Sequence, residues 1–560
     1  MQGDFLLPYM HSLFPASYVD GPFSGCKRAY GNRLSFCRMS GMKRLLLITL
    51  FAYILQGCSS PSAPATSDAH ISPVNTGITR ENAYNDLFLD SSAIAAFITA
   101  EKLDDTTANR LRSFYNARNF EFAWLDSRGP VEQAAAFRSL YNYSKDSTSN
   151  RALDKRLNAL MDEDSLSISA GDKEMVKTEL QLTWRLINYF RETGGSIDQL
   201  EHMVPAQRYP AMALADSMLK TDDKVFPAVA AMKAPLKAYR EYAGKGGWVQ
   251  IPDIKKGLKK GQSSPEIIAV KKRLSLTGEL KNNDSSAVFT DELETAINAF
   301  RNSNGYTQNG VLNDTVVKAL NVPAEERLQQ LLVNMERMKW MPVKPQGKLI
   351  LVNIPAFVLH VTDGDKRLFD MDIVVGKEGH STTMFSGMLN QVVFSPYWNI
   401  PRSIVRKEIL PAIQRNKKYL ASKHMEVTGE ANGLPVIRQL PGQHNALGKV
   451  KFLFPNSYNI YFHDTPEKGL FERDNRAYSH GCIRLKDPVK MAQFVLEDSP
   501  QWTNEKIDSA MNSGKEKFVA VKNPVPVIIT YFTAWTNGDK LYFASDVYGH
   551  DAVFKEKLFK

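Results

Sequence analysis

The chain has 560 residues, 43% of them apolar and 23% charged, and a formal net charge of +10. That length exceeds what one hydrophobic core serves and points to roughly three or four domains, while the composition excludes wholesale disorder. Nucleic acid is excluded as a partner, because no basic stripe with interleaved aromatics occurs in the sequence.

Residues 1–41 have no helical period and read as an over-extended, disordered start, with translation beginning at Met42 and Met39 as the other candidate. Lys43-Arg44, the apolar run Leu45 to Leu55 and the small residues after it make 42–57 a secretory signal. The run falls short of the ~20 residues that span a bilayer. The order Leu55-Gln56-Gly57-Cys58 resembles a bacterial lipobox. That resemblance implies that Cys58 becomes the lipidated first residue, and that the protein is exported to the periplasm and anchored to a membrane by lipid. Six basic and two acidic residues precede Cys58, which leaves only about +6 on the mature chain, a weak match to an acidic polymer or membrane surface. Cys26 and Cys37 are lost with the leader and Cys58 carries lipid, so the exported part holds one thiol, Cys482. An unpaired cysteine in an exported protein is a candidate reactive thiol.

Residues 58–82, rich in Ser, Pro, Ala and Thr, read as the lipidated cysteine and a flexible tether. From 83 to 250 apolar residues recur at spacings of three and four, among them Ile94, Phe97 and Ile98, then Leu111, Phe114 and Tyr115. This is a helical scaffold, and its Phe114-Tyr115…Trp124 cluster reads as packing between helices. Residues 260–325 show a three-helix pattern with a loop, Gly305 to Leu312, before the last helix. The module resembles the peptidoglycan-binding domain family, with Phe300 on the middle helix and Thr315 after the glycine-rich loop. It departs from that pattern at Arg301 and Asn309. Another helix follows from Glu325 to Met338, ended by Pro342 and Pro345.

The character then changes. Short β-branched runs such as Lys348 to Ile354, Phe357 to Thr362 and Phe369 to Val375, punctuated by Asp363-Gly364-Asp365, predict a mostly β domain over 346–525. A basic helical insert at 404–435 interrupts it and reads as a candidate lid. Residues 488–513 read as helical, and 526–560 as C-terminal strands packing on the catalytic domain, with Asn537-Gly538-Asp539 as a hairpin turn. The fold class predicted is multidomain α + β.

Chemistry concentrates at Tyr478-Ser479-His480-Gly481-Cys482-Ile483-Arg484 and, upstream, at Tyr461-Phe462-His463. His463 ends a predicted strand, and a polar loop returns the chain to Ser479. Cys482 can then lie beside His463, which can draw the thiol into a nucleophilic ion pair. Gly481 frees backbone N–H groups at 481–482 to face a developing oxyanion. Arg484 suits a substrate carboxylate or holds the loop, and His480 reads as a structural hydrogen-bonder. Ser479 and Tyr461 are assigned to loop or substrate support. One Cys and two His fall short of a structural zinc set, so no metal is assigned. Sortases place their His and Arg at other distances, and papain-like enzymes place Cys before His.

His463 followed by Ser479-His480-Gly481-Cys482-Ile483-Arg484 resembles the signature of the L,D-transpeptidase catalytic (YkuD) family. The stretches Ser395 to Pro401, Asn445 to Gly448 and Thr533 to Trp535 are similar to a subfamily that carries a helical scaffold and a peptidoglycan-binding domain before the catalytic domain. The resemblance covers about residues 85–550. It implies that Cys482 attacks the carbonyl before the terminal D-alanine of a peptidoglycan stem tetrapeptide, with His463 as proton donor and acceptor. An amine of a second stem then resolves the thioester into a 3→3 cross-link. It further implies that a backbone carbonyl orients the histidine, that no cofactor is needed, and that carbapenems acylate the cysteine. Two other readings stay open at the level of sequence: an L,D-carboxypeptidase using the same acyl-enzyme, and a wall-binding lipoprotein without activity.

Overall fold

The computed structural model describes residues 71–144, 151–161, 166–194, 197–343 and 347–560. The start, the signal, Cys58 and the first part of the tether lie outside the described residues. No described helix is long and apolar enough to cross a membrane.

The scaffold is built from helices between Ser91–Glu101 and Lys233–Gly244. Asp90, Asp104 and Asp172 start three of them, each accepting a hydrogen bond from a first-turn N–H. Leu111, Phe114, Tyr115, Trp124, Phe137 and Leu186 are buried together, so the aromatic cluster is core. At 123–125 the chain pairs only with the short strand Gly129–Pro130, through Leu125, and its N–H groups are met by the buried Glu179 carboxylate. It accepts from Ala123 N (2.6 Å), Trp124 N (2.9 Å) and Leu125 N (3.2 Å).

The tether is shorter than composition suggested. Ile78 is only 2% exposed, and Asn75 N donates to Asn116 O at 2.8 Å, so residues 71–82 are folded onto the scaffold. One buried isoleucine and asparagine-bonded turns override a loop-like composition there: Asn119 Nδ2 donates to Ile78 O and Asn82 Nδ2 to Gly77 O.

The small module folds as three helices, Glu266–Leu276, Asp291–Ser303 and Asp314–Leu320, around Ile267, Val270, Leu293, Ile297, Phe300 and Val316. Arg301 ties the glycine-containing loop down, donating from Nε to Thr307 O (2.5 Å) and from Nη1 to Val311 O (3.1 Å). The helix Ala324–Met338 is buried almost all round. Its leucines pack against scaffold helices on one side and the carboxy-terminal segment on the other.

The carboxy-terminal half is a closed sheet. Its strands are β1 (Lys348–Asn353), β2 (Val358–Asp363), β3 (Lys366–Gly376), β4 (Ser386–Phe394), β5 (Val450–Leu453), β6 (Phe462–His463), β7 (Ala477–Ser479), β8 (Ile483–Leu485) and β9 (Lys517–Thr530). Pairing runs β1-β2-β3-β8-β6-β5-β4-β9 and returns to β1, with β7 added along β3, so the main sheet leaves few free edges. Ile350, Val352, Leu359, Ile373, Val392, Phe452, Phe462, Ile483 and Val527 fill the interior, and Met491, Val495, Ile507 and Met511 from two helices join this core.

Two boundaries move. β9 is a central strand between β4 and β1, so the β domain extends to Thr530 rather than 525. The segment after it holds a hairpin, Ala534–Asn537 with Lys540–Phe543, and a helix not foreseen, His550–Leu558. Phe532, Phe543, Phe554 and Leu558 join the core of the buried helix and the scaffold, so this segment joins the two halves instead of capping one. The insert is also wider. Trp398–Asn399, Met425–Ala431 and Leu434–Gln439 form their own three-stranded sheet, over a small core of Ile400, Ile404, Val405, Ile409 and Ile437. Only its helical part was legible as periodic sequence.

Candidate active site

β6 and β8 run parallel, with Phe462 opposite Ile483 and His463 opposite Arg484. Phe462 and Ile483 point into the core. Alternation therefore puts Tyr461, His463, Cys482 and Arg484 on the other face of this pair. Sequence spacing alone could suggest only proximity, and the register of two short strands supplies the common face.

His463 is 4% exposed, and its Nδ1 bonds the backbone carbonyl of Asp464 at 2.5 Å. That bond keeps the ring proton on Nδ1 and leaves Nε2 to accept. Asp464, which received no role from sequence, is itself held. Its carboxylate accepts from Lys449 N at 2.9 Å and from Lys468 Nζ at 2.8 Å. Gly448 sits so close that a Cβ there would meet Asp464 Oδ2 at 2.3 Å.

Cys482 is half-buried, and its thiol donates to Asn459 O at 3.6 Å. The N–H and hydroxyl of Tyr461 face the sulfur and favour its anion, as does the Arg484 charge. Burial outweighs all three and pushes the thiol up to about 11. Burial, then the Arg484 charge, lowers His463 to about 3, against the opposing Asp464 carbonyl. At neutral pH the resting pair is therefore a neutral thiol and a neutral imidazole, not the ion pair foreseen from sequence. The desolvation of a closed strand pair is not visible in a motif. Burial and the neighbouring sulfur also raise the Tyr461 hydroxyl well above its ordinary value.

The turn before Cys482 is tightly bonded. Ser479 Oγ donates to Cys482 O (2.5 Å) and accepts from Gly481 N (3.1 Å). Gly481 N–H is thus committed and cannot serve as an oxyanion donor, which corrects the reading of 481–482 as a donor pair. Gly481 has φ +107°, a conformation that favours glycine. Its carbonyl accepts from Thr382 Oγ1 at 2.8 Å. Cys482 N–H has no hydrogen-bond partner among the described residues.

Arg484 Nη1 forms an ion pair with Glu467, on the loop between the two candidate residues, so it holds that loop. His480 Nε2 bonds Glu408 Oε1 of the insert at 2.8 Å, and its ring lies 5.0 Å from that of His380. The insert thus touches the turn that carries Cys482. The small module reaches the same region: Thr307 donates from N (2.9 Å) and Oγ1 (2.7 Å) to Asp474 on the 464–478 loop. Cys58 lies outside the described residues. Sequence reasoning missed Thr382, Glu408, Asn459 and Glu467, because single polar residues in loops carry no periodic or motif signal.

Residues 347–527 match the model of the L,D-transpeptidase catalytic domain (YkuD), and residues 109–243 match that of the Scaffold domain. A curated Haemophilus influenzae protein named "Putative L,D-transpeptidase" is 30% identical over 240 residues, 40% of this chain and 48% of that protein. The chain thus spans about half the length of that relative. Solved structures of L,D-transpeptidases from Mycobacterium smegmatis and Stackebrandtia nassauensis align at 15% and 14% identity, each with a TM-score of 0.19. These cover 33% and 49% of this chain, and 58% and 94% of theirs, and at such scores they carry no weight. The match to the L,D-transpeptidase catalytic domain model over 347–527 falls on the closed sheet that carries His463 and Cys482, and the match to the Scaffold domain model falls on the helices before it.

Proposed function

We propose that this protein is a cell-wall L,D-transpeptidase that forms 3→3 cross-links between peptidoglycan stem peptides through an acyl-enzyme on Cys482. The observation that carries the reading is the β6–β8 pair, which gives His463 and Cys482 a common face with His463 Nδ1 engaged and Nε2 free to accept.

Cys482 Sγ attacks the carbonyl between the third and fourth residues of a donor tetrapeptide, and its proton passes to His463 Nε2. Because both groups rest neutral, proton transfer accompanies attack instead of preceding it. The carbonyl oxygen gains negative charge and is met by the unengaged Cys482 N–H. As the tetrahedral centre collapses, the C–N bond breaks and D-alanine leaves with the proton from His463, so a thioester remains. The side-chain amine of a second stem attacks that thioester and gives its proton to His463. The thiol departs, reprotonated, and the new amide is the cross-link. Residues 42–58 add an exported, lipid-anchored location in the periplasm to this reading.

The test is to incubate purified protein with disaccharide-tetrapeptide and identify the products by mass spectrometry. Dimers lacking one D-alanine are expected, and they should vanish with Cys482→Ala. Tripeptide alone would assign a hydrolase, and dimers from Cys482→Ala would refute the mechanism.

A further inference from the structure

The turn carrying Cys482 is bonded from outside its own motif by Thr382, which is itself held by Tyr548. Thr382 is 1% exposed, and its hydroxyl is used fully: it donates to Gly481 O at 2.8 Å and accepts from Gly376 N at 3.0 Å. The hydroxyl of Tyr548, in the carboxy-terminal segment, donates to Gly376 O at 2.7 Å and accepts from Thr382 N at 3.3 Å. Tyr548 is fixed in turn, since its N–H donates to the hydroxyl of buried Tyr531 at 2.8 Å. The approach is close enough that Gly376 has no room for a side chain. A Cβ there would lie 2.0 Å from His380 O and 3.1 Å from Gly481 Cα.

A trans peptide holds its C=O and N–H on opposite sides of one plane. Bonding Gly481 O to Thr382 therefore turns Cys482 N–H to the side away from Thr382. Gly481 N–H is already spent on Ser479, so within this turn the orientation of one peptide plane governs the remaining donor. Glycine imposes little rotational restraint of its own, so an external bond must fix that plane.

We infer that Thr382, held by Tyr548, is a positioning residue that locks the Gly481–Cys482 peptide with Cys482 N–H directed at the oxyanion. The assignment rests on the reading of Cys482 as a nucleophile toward carbonyls. It makes the carboxy-terminal segment, beyond the catalytic sheet, part of what orients the reaction.

The experiment compares two reactions of the same thiol in the purified full chain. Acylation by a carbapenem builds charge on a carbonyl oxygen, whereas alkylation by iodoacetamide displaces iodide from carbon and builds none. Loss of one oxyanion donor lowers rates by about 10²–10³-fold in other enzymes, so Thr382→Val should slow acylation of Cys482 by roughly 10²-fold. Tyr548→Phe, one step removed, should slow it by about tenfold, and Thr382→Ser should stay near wild type. Alkylation should remain within about twofold of wild type in all three, because no oxyanion is involved. Acylation at the wild-type rate in Thr382→Val would overturn the inference, and so would a parallel fall in both reactions. If Thr382→Val does not fold, Tyr548→Phe is judged by the same comparison. Wild-type protein that forms dimers while Thr382→Val acylates normally refutes this assignment alone. Wild-type protein that is acylated yet makes no product from stem peptides refutes the proposed function alone.

Discussion

At the scale of single residues, the site rests neutral. A thiol at about 11 beside an imidazole at about 3 leaves little thiolate at pH 7. Alkylation of Cys482 by iodoacetamide should accordingly stay slow from pH 6 to 8 and climb only above about pH 9, as the thiolate forms. A plateau of fast alkylation below pH 7 would show an ion pair instead. The same shifts bear on stability. His463 is depressed when folded, so its contribution is whole above about pH 6.5 and is lost as pH falls toward 3. Cys482 is raised when folded, so its contribution is whole below about pH 8.5 and is lost as pH rises toward 11. Gly448 tests the histidine's support. With φ +62° and the Asp464 side chain in the way, Gly448→Ala must displace that side chain, in the same residue whose carbonyl holds Nδ1. Product formation should fall at least tenfold, a loss of about 1.4 kcal/mol or more in transition-state stabilisation.

At the scale of elements, the insert is the part that sequence rendered least well. Its helices were legible because Ile404, Val405 and Ile409 recur with a helical period. Its strands were not, since Met425–Ala431 has no fully buried residue and only Met425 packs against the insert's core. From Arg402 to Lys423 the insert exposes seven basic side chains against one acid, Glu408, and Glu408 is the residue that bonds His480. Exposed, unmatched cations act through long-range fields that salt screens over roughly 10 Å at 0.1 M. Stem peptides bear carboxylates, so kcat/KM should fall severalfold between about 50 and 500 mM salt. Charge reversal at Lys417 and Lys418 should flatten that dependence, and an unchanged slope would remove the insert from substrate capture. The catalytic turn itself was legible, because its residues are consecutive. Its orientation was not: Thr382 and Tyr548 lie 99 residues before Gly481 and 166 after Thr382. No local pattern encodes a contact at such range.

At the scale of the whole molecule, scaffold, buried helix and carboxy-terminal segment meet at one cation. Arg337 Nε and Nη2 bond the Glu132 carboxylate at 2.6 and 3.1 Å, and Nη1 pairs with Asp551. Its guanidinium is held well charged by these two carboxylates despite its burial. Removing one partner of a buried ion pair strands the other charge and costs about 3–5 kcal/mol. Arg337→Ala should therefore lower the unfolding temperature clearly, and an unchanged transition would deny that the parts are joined here. Domain order and the β character of the second half could be read from periodicity and turn residues. That the last thirty residues join the two halves could not, because Phe543, Phe554 and Leu558 look like any amphipathic surface until their partners are known. The proposed mechanism places the donor stem on Cys482 as a thioester. Incubation with disaccharide-tetrapeptide, acid quench and mass spectrometry of the proteolytic fragment containing Cys482 tests it most directly. The fragment should gain the mass of the disaccharide-tripeptide acyl group, and the adduct should disappear when acceptor amine is added before the quench. A fragment of unmodified mass, while dimers accumulate, would contradict the account.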